Sequence, residues 1–381
     1  MIGRCPTGRN TTMTGVSVLR HSGPIVGLCR PLARGGSVPE PTSQAHTPLP
    51  IMEMMSGVWM SRTVTAANNL DLFTRLSGRP PQSAEQIARL TGLRRRPAES
   101  LVVACASLGL LHRAPGGYVN APVAERYLVR TRRDYFGGWV EVLDQHDHPG
   151  WMRLDEALRE DRPTVWDSGK RTSLFDGMAP DMVKVFWEGM RALSCSTASV
   201  LADTLDLSGA KALLDVGGGG AAFDIELCAR HPGLRTAVYD LPFVCDLTRP
   251  KIEEAGLADR ITLIPGDFFA EPRLPGGYDT ILLSSVLHDW NDDDVRTILG
   301  KCHAALPSGG RLLICELLLN EERDGPPEAA LMGLAMLAWT WGRSFTAGEL
   351  TGWLTDIGFA SGTVDRFTAP GANAVISVTK P

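Results

Sequence analysis

Apolar positions change their spacing near the middle of the chain. From Ile51 to about Leu76 they recur at helical intervals, with Met55, Val58 and Trp59 followed by Ala66, Leu70 and Phe73, until Gly78 and Pro80-Pro81 interrupt them. Ser83 with Gln86 three residues on has the spacing of a capping box, so a short helix is predicted with Ile87 and Leu90 inward and Thr91-Gly92 at its end. Pro97 suits the first turn of the next helix, which buries Leu101, Val102 and Leu108 and stops at Gly109. Leu110–His112 and Tyr118–Asn120 then flank Pro115-Gly116-Gly117, a hairpin signal. Two short helices and a hairpin make a winged-helix outline.

Residues 121–205 continue mostly helical. His146 and His148 are close enough to suggest a metal pair, but no third ligand is near, and the stretch reads as a polar loop before Trp151 that can line a substrate pocket. Phe175, Met178, Met182, Phe186, Trp187 and Met190 recur at helical spacing. Such a stripe is core or the adaptable wall of a pocket for a flat ligand.

Beyond residue 205 short apolar runs alternate with amphipathic segments. Leu213–Ala221 reads L-L-D-V-G-G-G-G-A and leads into a helical stretch from Phe223 to Arg230, the outline of strand, glycine turn and helix. Further strands are predicted at Thr236–Tyr239, Ile261–Ile264, Asp279–Ser284 and Arg311–Cys315. Asn291 caps a helix with Val295, Ile298, Leu299, Cys302 and Leu306 inward, and Asp292, Asp293 and Asp294 are its first-turn acids. Ala329–Trp341 is an apolar helix, and a last helix precedes strands at Ser361–Phe367 and Asn373–Val378. The fold class is therefore α/β, a doubly wound parallel sheet behind a mainly helical winged-helix-like domain. The expected divisions are a disordered leader at 1–50, the helical domain at 51–205 and the α/β domain at 206–381.

Composition narrows the function. The 381 residues are 44% hydrophobic and 21% charged with net charge -5, so nothing calls for nucleic acid or an anionic membrane. Arg94, Arg95 and Arg96 are available for phosphates, but the second helix of the winged outline is too apolar to read bases. The outline is better read as a packing or dimerisation module, with a DNA-binding regulator as the alternative. Eight scattered cysteines without a C-x-x-C pair suggest buried thiols in a reducing cytoplasm and no metal site. No apolar run is long enough for a membrane span. Residues 1–50 contain Glu40 as their only acid and have no sustained periodicity; they are read as a non-functional extension rather than a transit peptide.

Gly217, Asp240, Asp267, His288 and Glu316 all fall at C-terminal strand ends, where doubly wound sheets bind ligands. Asp240 lies about 20 residues beyond the glycines, where an acid can grip ribose hydroxyls. The glycine turn with G-D-F after the third strand resembles S-adenosylmethionine methyltransferases. With Y-D-L-P, G-D-F-F and V-L-H-D-W-N-D, the chain from about residue 55 to its end resembles the small-molecule O-methyltransferase family, which includes plant caffeate and acetylserotonin enzymes and bacterial antibiotic-tailoring enzymes.

That resemblance implies a Rossmann-like class I methyltransferase domain, a homodimer built through the N-terminal part, and S-adenosyl-L-methionine as methyl donor. It implies His288 as general base, oriented by Glu316. Gly217 and Gly219 would take the amino-acid end of the donor, Asp240 the ribose, and Asp267 with Phe268 the adenine. Ser284 stands where plant members often carry a lysine near the adenine. Two further departures are Ala221 in place of the last motif glycine, and Ser344 in place of a second carboxylate beside the histidine. The implied reaction is O-methylation of a small aromatic, phenolic acceptor in secondary metabolism. Alternatives are C-methylation of a phenolic ring, such as that of a hydroxylated aromatic amino acid or kynurenine, and a cofactor-binding member whose chemistry has diverged.

Overall fold

The computed structural model describes residues 47–132, 134–170 and 180–381; the leader up to residue 46, Phe175 and Met178 lie outside them. The helical half runs through α1 (Leu49–Met55), α2 (Gly57–Asn69), α3 (Leu72–Leu76), α4 (Ala84–Thr91) and α5 (Arg95–Ser107) to the hairpin β1 (Leu111–Ala114) and β2 (Gly117–Asn120). It continues through α6 (Pro122–Tyr127), α7 (Gly137–Val142), a π-turn (Leu143–Asp147), α8 (His148–Trp151), α9 (Leu154–Glu160) and the long α10 (Pro180–Thr204). Ser83 and Gln86 form the capping box of α4, and Gly92 closes that helix at φ +73°.

Two expectations change here. The single helix over 51–76 is broken at Leu70–Asp71, where Asp71 takes φ +55° and turns Leu72, Phe73 and Leu76 into a core with Ile87, Val102 and Leu111. The expected loop at His146–His148 is helical. Asp144 and His148 are satisfied from α2, since Arg62 binds Asp144, Asn69 donates to Asp144 at 2.7 Å, and Ser61 Oγ meets His148 Nε2 at 2.7 Å. A helix whose polar groups find partners need not unwind to reach water.

The α/β half contains β3 (Ala212–Val216), β4 (Arg235–Asp240), β5 (Ile261–Pro265), β6 (Thr280–Ser284), β7 (Arg311–Glu316), β8 (Thr363–Arg366) and β9 (Ala374–Thr379). They form one sheet in the order β5-β4-β3-β6-β7-β9-β8, in which β9 alone runs against the direction of the others. Helices α11 (Ala222–Arg230), α12 (Pro242–Glu254), α13 (Asp292–Ala305), α14 (Pro327–Trp339) and α15 (Ala347–Ile357) complete it. Along β7, Leu312 and Ile314 enter one core with Leu214, Leu283 and Leu299, while Leu313 and Cys315 enter another with Leu201, Leu213 and Phe223. Both faces are covered, which is why these strands read as continuous apolar runs rather than alternating ones. The strand order reverses between β3 and β6, and the C-terminal ends of those two strands open the crevice where such sheets take ligands.

Candidate active site

β3 ends in the glycine turn. Gly217 and Gly219 adopt φ +73° and +53°, conformations that cost a side-chain-bearing residue strain. Space forbids side chains as well: a Cβ on Gly217 would lie 2.9 Å from Val286, and one on Gly218 2.6 Å from the Asp215 carboxyl. Ala221 enters α11 at φ +55°, so the alanine occupies a position whose backbone suits glycine. Its methyl is fully buried beside Ile225, Cys228 and Val238. Asp215 lies beneath the turn, and burial, then the charge of Asp224, hold its carboxyl well above the usual carboxylate range.

Asp240 ends β4 beside the turn. Its Oδ2 accepts the Gly219 N–H at 2.8 Å and its Oδ1 the Leu241 N–H at 2.7 Å. Burial raises this carboxyl to about 6 against those two donors, so it stays ionised at neutral pH with lone pairs left for further hydroxyls. Thr248 Oγ1 on α12 donates to the Gly219 carbonyl at 2.7 Å and fixes the turn from its other side. Asp267 follows β5 and accepts the Phe269 N–H at 2.8 Å. Phe268 packs edge-on against Phe269 and Trp290, at ring separations of 4.9 and 5.7 Å. Lys301 holds this loop by donating to the Phe268 and Glu271 carbonyls at 2.6 and 2.7 Å. Ser284 ends β6 opposite Cys315 of β7, with β3 between it and the Asp240 strand.

Beyond β6, Ser285 takes φ +54° and a short turn, Leu287–Asp289, presents His288. Glu316, at the end of β7, reaches across. Its Oε2 is 2.6 Å from His288 Nδ1, and its Oε1 accepts the N–H groups of Val286 and Leu287 at 3.1 and 2.9 Å. One carboxylate thus fixes the turn and the ring together. With Nδ1–H donated to Glu316, Nε2 is the nitrogen left for chemistry, and Asp289 Oδ1 lies 3.8 Å from it. Burial disfavours the charged ring, but Glu316 and Asp289 outweigh it and raise His288 to about 9. Ser344 is buried and donates to the Ala329 carbonyl at 2.7 Å, so its hydroxyl ties the chain to α14.

Two residues that the sequence reading did not single out for the site belong to it geometrically. Asp289 faces the free side of His288, as its place in H-D-W would have allowed. Arg191 lies on α10 one turn beyond Trp187, the only signal for it. A Cβ on Gly220 would lie 2.9 Å from the Arg191 chain, and one on Gly219 3.2 Å from the Trp187 ring. Arg191 Nε is buried without a hydrogen-bond partner, and no acid pairs with this residue among the described residues. A half-buried cation, a turn without side chains and a strand-end carboxylate fit the carboxylate and ribose ends of an amino-acid-bearing nucleoside. Among the described residues no group of three or more ligating side chains suits a metal ion.

A nucleoside cradle beside a buried histidine–carboxylate pair is the arrangement of a cofactor-dependent group-transfer enzyme. The chain belongs to the O-methyltransferase family: the O-methyltransferase domain model matches residues 151–360, and the O-methyltransferase dimerisation domain model matches residues 52–130. It is similar to a 3-hydroxy-5-methyl-1-naphthoate 3-O-methyltransferase of Streptomyces sahachiroi, 44% identical over 334 residues that cover 87% of this chain and 95% of the relative. An L-tyrosine C(3)-methyltransferase of Streptomyces lavendulae is 33% identical over 325 residues, 83% of this chain and 88% of that one. Among solved structures, PigF with SAH superposes with a TM-score of 0.77 at 29% identity, covering 88% of this chain and all of that one (100%). The protein is an S-adenosylmethionine-dependent methyltransferase, and the class I fold expected from the sequence is the fold observed. No helix among the described residues is long and apolar enough to cross a membrane.

Proposed function

We propose that this enzyme methylates a phenolic oxygen of a small aromatic acceptor, with His288 as general base and Glu316 as its positioning partner. The 2.6 Å contact between His288 Nδ1 and Glu316, buried at adjacent strand ends beside the glycine turn, carries this reading. The donor supplies an electrophilic methyl group when bound. Gly217, Gly219 and Arg191 would hold its amino-acid end, Asp240 its ribose, and Asp267 with Phe268 its adenine. His288 Nε2 accepts the phenol proton, and Glu316 stabilises the imidazolium that results. A phenol has a pKa of about 10. A ring raised to about 9 is a base nearly matched to it, so the proton moves at little cost. The compensating disadvantage is that only about 1% of such a ring is neutral at pH 7.

The acceptor class is supported by the naphthoate enzyme, which matches nearly its whole length and exceeds the tyrosine C-methyltransferase in identity. A homodimer built through residues 52–130 and a cytoplasmic setting complete the reading. Incubating the protein with labelled S-adenosylmethionine and a panel of hydroxynaphthoates, hydroxybenzoates and simple phenols tests it. The expected product carries an O-methyl signal by NMR. A ring C-methyl signal would transfer the assignment to carbon, and no transfer to any phenol would remove it.

A further inference from the structure

The mechanism leaves the buried ring nitrogen of His146 unused. His146 Nε2 is buried and has no hydrogen-bond partner. The ring sits on the π-turn Leu143–Asp147, an irregularity found disproportionately at functional sites. That turn is held in place from both sides. Arg62 and Asn69 bind Asp144, and Asp147 Oδ1 accepts the indole N–H groups of Trp151 and Trp339 at 2.9 and 2.8 Å.

His146 also ends a continuous aromatic wall. Its ring meets Trp339 edge-on at 6.3 Å, Trp339 meets Phe186 at 5.9 Å, and Phe186 meets Trp187 at 5.7 Å. Trp187 is the ring that covers Gly219 of the donor turn. The chain leaving Trp339 reaches Gly342, where a Cβ would come within 1.9 Å of the His288 carbonyl. The wall therefore borders the glycine turn through Trp187, the chain leaving its Trp339 end packs on the catalytic turn, and His146 is the polar group beside Trp339. Burial lowers the His146 pKa, so the ring is neutral at neutral pH and acts as a hydrogen-bonding group.

We propose that His146 is a substrate-positioning residue that hydrogen-bonds an oxygen substituent of the aromatic acceptor other than the one methylated. That substituent is a ring carboxylate or a second hydroxyl. The inference rests on the aromatic acceptor proposed above. It gives the apolar cleft a polar fixed point, so that the ring presents one hydroxyl, and not another position, to His288 Nε2.

The test is acceptor binding, read by tryptophan fluorescence with the protein saturated by S-adenosylhomocysteine. The ligands are 2-naphthol, a hydroxynaphthoic acid and a dihydroxynaphthalene, and the variants are His146→Phe and His146→Gln, each checked for an unchanged melting temperature. The wild-type protein should prefer the acid or the diol to naphthol, and which of the two it prefers identifies the substituent. His146→Phe should weaken that ligand roughly tenfold and leave naphthol unchanged, while His146→Gln retains part of the preference. In turnover the loss should appear in KM rather than kcat. Absence of a wild-type preference, or equal weakening of all three ligands in His146→Phe, would overturn the assignment, as would unchanged binding throughout. Because binding is measured without methyl transfer, a protein that keeps the preference but methylates no phenol refutes the base reading and leaves His146 standing.

Discussion

His288 is set by its neighbours more than by its own chemistry. Glu316 uses one oxygen for the ring and the other for two backbone N–H groups, so removing it both frees the turn and discharges the ring. His288→Ala should lower kcat by about 10²–10⁴-fold while donor affinity, measured by calorimetry, stays near wild type. In the donor-free protein, an NMR titration of the His288 ring should show a midpoint near 9. In Glu316→Gln the midpoint should fall well below that, because burial then opposes the charge with less compensation. A wild-type midpoint at or below the ordinary value of about 6.5 would contradict the electrostatic account. The sign also fixes the pH dependence of stability. A folded value above the unfolded one means that the charged pair stabilises the fold fully below pH about 6.5, and that the contribution disappears as pH rises through about 9.

At the scale of elements, the turn between β3 and α11 tolerates little. Ala221 combines a left-handed backbone with a fully buried methyl. Ala221→Val should cost at least about 2 kcal/mol in chemical denaturation, since a β-branched side chain is both strained at positive φ and too large for the core there. Ala221→Gly relieves the strain but loses the buried methyl, and should stay within about 1 kcal/mol of wild type. The π-turn is a second such element. Asp147→Ala would leave two partly buried indole N–H groups without their acceptor, a loss of about 1–3 kcal/mol each. It should raise acceptor KM by loosening Trp339, and an unchanged KM would show that the indoles are held by packing alone.

For the whole molecule, the helical half is joined to the sheet by α10 and α14, the two helices that bring Trp187, Arg191 and Trp339 to the cleft. Its first two helices carry an apolar face that the described residues leave open: Ile51, Met54 and Met55 on α1 and Trp59 on α2 are each about two-thirds exposed (64–69%). So large an apolar face on a dimerisation domain is suited to a second copy. Light scattering should give a dimer, and a Met55→Glu, Trp59→Glu double variant should shift it to monomer at micromolar concentration. A wild-type monomer would refute that use of the face.

The strands, the turn positions and the strand-end residues Asp240, Asp267, His288 and Glu316 were legible along the chain, because local periodicity and glycine punctuation are written residue by residue; the order of the strands in the sheet was not. The donor family was legible for the same reason: its motifs are short and contiguous. Other features required the folded chain. That Glu316 reaches His288, 28 positions away along the chain, depends on β6 and β7 being neighbours in the sheet. The break at Asp71 and the helical course through His146 were decided by partners on distant helices, and no local pattern encodes those. Arg191 looked like an ordinary helix position until packing set it over the glycine turn, and packing alone set Trp339 beside His146. The sequence by itself determined the strands and the donor and pointed to His288 as the base to test; the tertiary structure alone decided which side chains meet around the crevice, because a pocket wall is assembled from side chains whose contacts are set by packing and not by spacing along the chain.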